Sequence, residues 1–329
     1  MAETIQRKAL GRAAVIGSLY DATKDTFCKT SILKTELPSN SINQVEIPNS
    51  KVMSDYEESY MTKFDNFEVE PQLKISVLLG LVALDGSGKY LVDIKNSSKS
   101  VKGTLGYKMT TVEENLDIYR ENIKACISTD AFNMPEATHV VIGIKWGAAI
   151  MASFEHEDTN KDNKSQVCGE LKTNIKKISL SISAGTHIGV DKGSYNNTTR
   201  FSIKILGDVI PHKITQSFED ARELLSNLPS YIKTYNGGKG VPIEYTLYPL
   251  SKLSKILSQN SSVNRMIIDL GEETILRVDQ IFIDLFKSKQ RLNDFYDDVK
   301  LISQFIPDEL FNKINNHVQK VRLEEAKFR

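Results

Sequence analysis

Alternation of apolar and polar positions dominates the first 250 residues. In ISLSISAGTHIGV, residues 178–190, the even positions are Ile178, Leu180, Ile182, Ala184, Thr186, Ile188 and Val190, against serines, glycines and His187. After the turn-rich DKGSYNN the pattern resumes, with Phe201, Ile203 and Ile205 against Arg200, Ser202 and Lys204. A second segment, 73–83, puts Leu73, Ile75, Val77, Leu79, Leu81 and Ala83 on one face, ahead of DGSG at 85–88. Residues 101–111 return with Val101, Leu105, Tyr107 and Met109 against Lys102, Thr104, Lys108 and Thr110. A period of two predicts strands. Two readings of these strands stay open. One is a half-buried antiparallel sheet. The other is a set of membrane hairpins, because a run of this length at ~3.3 Å per residue spans roughly 43 Å. A strand tilted near 45° across a ~30 Å hydrocarbon core needs about 42 Å. A lone hairpin in lipid leaves its edge groups unsatisfied, so this second reading requires many copies closing a barrel.

Near residue 250 the period changes. Val263, Ile267 and Leu270, then Val278, Ile281 and Leu285, then Leu292, Tyr296 and Val299 keep a helical spacing. This predicts two long antiparallel helices at 273–297 and 308–327, with Pro307 in the first turn of the second. A shorter helix at 217–228 follows the capping residue Ser217. The loop NGGKG at 236–240 leads into a strand at 241–250.

Composition narrows the function classes. Lys+Arg and Asp+Glu both total 42, so net charge is zero and no basic excess points to nucleic acid. Three scattered cysteines, Cys28, Cys126 and Cys168, fit neither a disulfide framework nor a zinc spacing. The N-terminus lacks a signal-peptide core, and no apolar run approaches the ~18 residues of a transmembrane helix. These features predict synthesis in the cytosol without a signal peptide, and a soluble protein that is later released or membrane-associated. LDGSGKYLV at 84–92 fails as a phosphate loop, with Ala83 where the first glycine belongs and Tyr90 after Lys89. EHEDTNKDNK at 155–164 lacks the glycine and terminal glutamate of a calcium loop. The five histidines show no metal spacing. No cofactor and no enzyme activity are expected. One segment stays unexplained: EATHVVIGIKWGAAI at 136–150, which holds His139 and the one Trp.

ALGRAAVIGSLYDATKD at 9–25 resembles the N-terminal signature of the stonustoxin family, cytolysins whose first domain has the membrane attack complex/perforin fold shared with cholesterol-dependent cytolysins. The resemblance continues in order through LLGLVALDGSGKYL, GYKMTTV, ATHVVIGIKWGA, SFEDARELLSNLP and VPIEYTLYPLSKL. It implies an α+β fold: a bent four-stranded antiparallel sheet flanked by two helical clusters, at about 55–100 and 158–198. It places the perforin-like domain at 1–252. The segment 253–329 is similar to the start of a focal-adhesion-targeting-like helical domain.

In this family ATHVVIGIKWGA occupies the place of a signature that shapes and hinges the sheet. Thr138 and His139 match it, Ala137 and Val140 depart from it, and Gly143 and Gly147 lie downstream; Gly185–His187 is a decoy. The clusters are expected to unfurl into transmembrane hairpins, with Leu73, Ile75, Val77, Leu79, Leu81, Ile178, Leu180, Ile182, Ile188, Phe201 and Ile203 facing lipid. Segments with strand periodicity should then be helical in the soluble form. The implied function is a pore-forming cytolysin whose partners are a lipid membrane and further copies of itself in a ring or arc, with room for a homologous second subunit. Family toxins continue into thioredoxin-like and PRYSPRY domains that these 329 residues do not contain, so a non-lytic interaction or immune scaffold is the alternative.

Overall fold

The computed structural model describes residues 3–56, 60–156, 161–186, 201–210, 215–257 and 270–328, and in it some of the alternating stretches are strands and others are helices. In chain order the elements are β1 (Ile5–Lys8), β2 (Ser18–Asp21), β3 (Thr26–Ser31), β4 (Ile42–Asp55), α1 (Tyr60–Asn66), α2 (Pro71–Leu78), β5 (Val101–Leu116), α3 (Glu121–Lys124), β6 (His139–His156) and α4 (Lys161–Ala184). Then follow β7 (Phe201–Gly207), α5 (Phe218–Ser226), α6 (Leu228–Lys233), β8 (Val241–Pro249), α7 (Leu250–Ile256), α8 (Glu272–Leu301) and α9 (Asp308–Phe328). Gly86–Val92 forms a 3-10 helix.

The strands make one antiparallel sheet organised around β6. One edge of β6 pairs with β5 and, at its start, with β2; the other edge pairs with β7 and β8. The expected four-stranded core is therefore β4, β5, β6 and a fourth position that two strands share. Gly207 of β7 sits opposite Ile150, and Val241 of β8 opposite Gly147. The chain leaves the sheet after β7, forms α5 and α6, and re-enters it as β8. Ser217 caps α5 in a reciprocal capping box, its hydroxyl accepting from the Asp220 N–H while the Asp220 carboxylate accepts from the Ser217 N–H.

Alternation does not decide the form of every segment. Residues 73–78 are helix and not strand: Pro71 opens α2, Gly80 closes it at φ 70°, and Leu73 through Leu78 are all buried. A helix buried on every side carries no amphipathic period, so a chance alternation survives in it. Residues 178–184 are the last turns of α4. Leu171, Ile175, Ile178 and Ile182 pack toward the core at spacings of four, three and four, and Leu180 points outward. The even positions 178 and 182 serve both periods, so the alternation coexists with the helix that the resemblance implies. By contrast 101–111 and 201–205 are strand, as the pattern predicts. The two long helices match their expected places, extended to Glu272–Leu301 and Asp308–Phe328; Pro307 stands one residue before the second and accepts N–H bonds from Leu310 and Phe311.

The side chains of β6 divide by period two. Ala148, Ile150, Ala152 and Phe154 face α4, α5 and α6, whereas Met151 faces the opposite side with Met53, Leu73, Val77, Tyr90 and Leu91. The helical segments 60–92 and 161–184 thus cover opposite faces of the sheet.

Gly147 →Ala is expected to lower stability by about 2–3 kcal/mol, because a Cβ there would lie 2.0 Å from the Met109 carbonyl oxygen. Gly169→Ala, on an open face of α4, is expected to raise it by roughly 0.5–1 kcal/mol. Urea unfolding measures both, and a wild-type midpoint for the first would refute the close approach.

Candidate functional site

His139 is held by the fold at both ring nitrogens. Its ring is fully buried, with Nε2 3.1 Å from the Glu3 carbonyl and Nδ1 2.9 Å from the Thr138 hydroxyl. A carbonyl only accepts, so those partners place the proton on Nε2 and leave Nδ1 to accept. Burial, aided by the Arg7 cation and opposed by the Glu3 carbonyl, pushes the imidazole down to about 4. Thr138 stitches the start of β6 to β2. Its N–H donates to the Tyr20 carbonyl, and its hydroxyl oxygen accepts from the Ala22 N–H. Both residues hold an end of the sheet.

The glycines mark a different level. Ile47 and Pro48 of β4 bulge opposite Thr111; Thr111 and Val112 of β5 bulge opposite Trp146; Ile243 of β8 bulges opposite the Lys145–Trp146 step. These irregularities form one line across the sheet, level with the break between β7 and β8. Bulges bend strands and leave ladder positions unpaired. Gly147 lies on this line, against Met109, and Gly240 packs so that a Cβ would sit 2.2 Å from the Gly147 carbonyl oxygen. Gly143 sits just below, against the Asn115 carboxamide. The NGGKG loop clasps the line: Lys239 bonds Glu114 at 2.5 Å, and Trp146 Nε1 donates to the same carboxylate at 2.8 Å.

The two helical segments are held differently. The first, residues 60–100, is tied to its surroundings by buried polar contacts. The Ser76 hydroxyl donates to Asp25 at 2.6 Å; the Ser87 N–H donates to Asp208 at 2.8 Å, and Asp208 also accepts from the Ala149 N–H of β6 at 2.7 Å. Asp93 pairs with Lys102 at 2.8 Å and Lys204 at 2.5 Å; burial alone would raise its carboxyl, but these ammoniums bring it to about 2. Glu68, between α1 and α2, faces Lys8, Lys51 and Lys108. On its outer side α8 straps the segment, with a buried Lys74–Asp279 pair at 2.6 Å, Phe282 in the shared core, and Asp294 accepting from Ser97 and Ser98. The second segment, α4, lays the stripe of Leu171, Ile175, Ile178 and Ile182 against β5, β6 and α5.

Of the residues expected to meet lipid, Leu73, Ile75 and Val77 are buried in α2 and Leu79 is partly buried just beyond it, while Leu81 is exposed. Ile178 is buried in α4, Ile182 half-buried and Leu180 exposed; Phe201 and Ile203 are partly buried on β7. Ile188 lies outside the described residues. Glu68, Asp93 and Asp208 carried no periodic signal, whereas Lys102, Lys108 and Lys204 lay on the polar face of the alternation, which does not tell what they meet. Pro48, which cannot donate to the ladder, sits in the β4 bulge; the alternation did not single out this strand. Among the described residues no helix is long and apolar enough to cross a membrane, and no group of His, Cys, Asp and Glu could hold a metal ion.

The histidine and the first-segment pair generate two expectations. An unfolded His titrates near 6.5 while folded His139 titrates near 4, so its contribution is complete above about pH 6.5 and is lost as pH falls toward 4. The loss approaches roughly 3 kcal/mol. Urea unfolding across pH 7 to 4 should be shallower in pH for His139→Gln than for the wild type. Asp93→Asn removes the carboxylate that the buried Lys102 shares with Lys204, leaving Lys102 with the weaker Glu155 contact at 3.7 Å, and is expected to cost on the order of 3 kcal/mol, read by the same unfolding assay at pH 7.

The sequence profile of the family described as "SNTX, MACPF/CDC-like domain" matches residues 4–269. Neoverrucotoxin subunit alpha of Synanceia verrucosa is 28% identical over 327 residues, covering 97% of this chain and 44% of the relative. Cytolytic toxin-beta of Scorpaena plumieri is 32% identical over 247 residues, covering 74% of this chain and 34% of the relative. A solved stonustoxin structure superposes with a TM-score of 0.64 at 24% identity, covering 99% of this chain and 42% of the other, and so shares the fold. The chain spans less than half the length of the curated relatives it matches, and those relatives carry toxin names, in keeping with the reading of a non-enzyme. With the bent-sheet architecture and a family profile covering most of its length, the chain belongs to the stonustoxin-type MACPF/CDC-like domain family.

Proposed function

We propose that the chain is the membrane-inserting part of a pore-forming cytolysin, in which residues 56–100 and 157–200 leave the sheet and extend as two β-hairpins per subunit. One topological observation carries the reading. The first helical segment joins the end of β4 to the start of β5, and the second joins the end of β6 to the start of β7. Those strand pairs are antiparallel neighbours whose ends meet at one end of the sheet: Asp55 lies opposite Thr104, Val101 opposite His156, and His156 opposite Phe201. Each helical segment therefore stands where a hairpin's turn would be. Unfurling it lengthens two paired strands without changing their register.

Length and pattern support the same conversion. Half of either segment, about twenty residues, reaches roughly 66 Å when extended, beyond the ~42 Å that a tilted membrane strand requires. The alternation in 73–83 and 178–184, which the helices do not use, would put Leu73, Ile75, Val77, Leu79, Leu81, Ile178, Leu180 and Ile182 on one face of the extended strands. Unsatisfied edges in lipid then drive copies to close a barrel, in a ring or arc. Relatives named as alpha and beta subunits favour a homologous second subunit in that assembly.

The test is dye release from liposomes, with circular dichroism and negative-stain microscopy on the same sample. Leakage is expected to coincide with loss of helical signal, gain of strand signal and ring-shaped oligomers. Ile182→Asp should abolish leakage while leaving the monomer folded, because Ile182 is only half-buried in α4 and a midplane carboxylate costs on the order of 2 kcal/mol in each subunit. Leakage that survives this change would refute the hairpin assignment.

A further inference from the structure

At the line of bulges four lysines from four strands converge on one cleft of about 510 Å³: Lys8 of β1, Lys51 of β4, Lys108 of β5 and Lys145 of β6. Two carboxylates face them. Glu244 takes Lys8 and Lys145, the latter at 2.8 Å. Glu68 takes Lys51 at 3.5 Å on one oxygen, and Lys8 at 3.3 Å and Lys108 at 3.8 Å on the other. Its lining holds four ammoniums against two carboxylates, an excess of two positive charges, with Glu70 acting on Lys8 from outside the lining. Burial, with Lys8 and Lys51 beside it, outweighs the two glutamates and holds the Lys108 ammonium below the usual lysine range. The positive charge there is under-compensated.

Glu68 is an unusual counter-ion. It belongs to the first helical segment and not to the sheet, its side chain is about half exposed, and its backbone sits at φ 54°, in the left-handed region. The three ammoniums hold its carboxyl below the usual range against the effect of burial. An exposed carboxylate on a strained turn, shared by three lysines fixed on strands, occupies the place where an external anion would bind.

We propose that this cleft is a phosphate-binding site whose resident carboxylate, Glu68, is displaced by the incoming phosphate, which loosens α1 and α2 from the sheet. A phosphate monoester carries close to two negative charges and three acceptor oxygens, matching the charge excess and the convergence of Lys8, Lys51 and Lys108. Asn49 and Ser50 line the same cleft and supply neutral polar groups. The phosphate could come from a phospholipid headgroup or from a free phosphate compound; the recognition chemistry is the same. The release of α1 and α2 rests on the hairpin reading above, whereas anion binding does not, so the two fail separately.

Isothermal titration with pyrophosphate at low salt tests the site. Glu68→Gln removes the competitor and is expected to tighten binding at least tenfold over the wild type. Lys51→Gln, an exposed change that leaves the core untouched, and Lys108→Gln are each expected to weaken binding at least fivefold, with thermal melting to verify folding. Equal affinity in the wild type and Lys51→Gln, or no binding by Glu68→Gln, overturns the site. Hydrogen exchange reads the coupling: pyrophosphate should speed exchange across 60–78 in the wild type, and unchanged exchange despite binding overturns the displacement. Co-sedimentation with phosphatidic acid vesicles, against phosphatidylcholine vesicles, separates the sources. Retention that Lys51→Gln lowers at least fivefold points to a headgroup; pyrophosphate binding without retention points to a free phosphate compound.

Discussion

Both edges of β6 are hydrogen-bonded along most of its length, and that double pairing constrains everything else in the molecule. Because the side-chain period of a strand is two, a slip of one residue would exchange Met151 with Ile150 and Ala152 between two differently packed faces. The register is thereby pinned from both sides. Irregularity gathers at one level of β4, β5 and β8, where Ile47–Pro48, Thr111–Val112 and Ile243 interrupt the ladders and the β7–β8 break leaves Ala148 and Ala149 without a strand partner on that edge; a further bulge at Ile142 lies nearer the His139 end. A sheet that is rigid in register and irregular along one line can change its bend without changing its pairing.

The two helical segments draw on different physics. The first is tied by carboxylate, ammonium and hydroxyl contacts, among them Asp93, Asp208, Glu68 and the Lys74–Asp279 pair, the last buried on both sides, so that breaking it strands a buried charge. Such contacts respond to ions and to protons. The stripe of α4 responds to competing apolar surface instead, since its hold scales with the area it buries. A lipid surface presents both stimuli, anionic groups outermost and hydrocarbon beneath.

His139 shows how a residue with catalytic chemistry can be spent on architecture. Buried among β2, β6 and the chain N-terminal to β1, it is kept neutral and bonded at both ring nitrogens. Thr138 next to it satisfies backbone groups of β2, its N–H donating to the Tyr20 carbonyl and its hydroxyl oxygen accepting from the Ala22 N–H. Loss of either would loosen the end of β6 farthest from the helical segments.

Local rules in the sequence determined a good deal of this. Alternation placed β5 and β7, heptad-like spacing placed α8 and α9, and Ser217 announced α5, because each depends on contacts within a few residues or on a single buried face. Tertiary structure alone decided the rest. For 73–78 and 178–184 the alternation pointed to strand and the resemblance to helix, and burial on all sides of α2 and the stripe of α4 give the physical reason for the helix. The lysine cleft is invisible along the chain, because positions 8, 51, 108 and 145 meet only through strand pairing. Its counter-ion, Glu68, arrives from a turn that no pattern singles out. A one-dimensional pattern reports which face of its own element a residue takes; which other face it meets is a property of the fold.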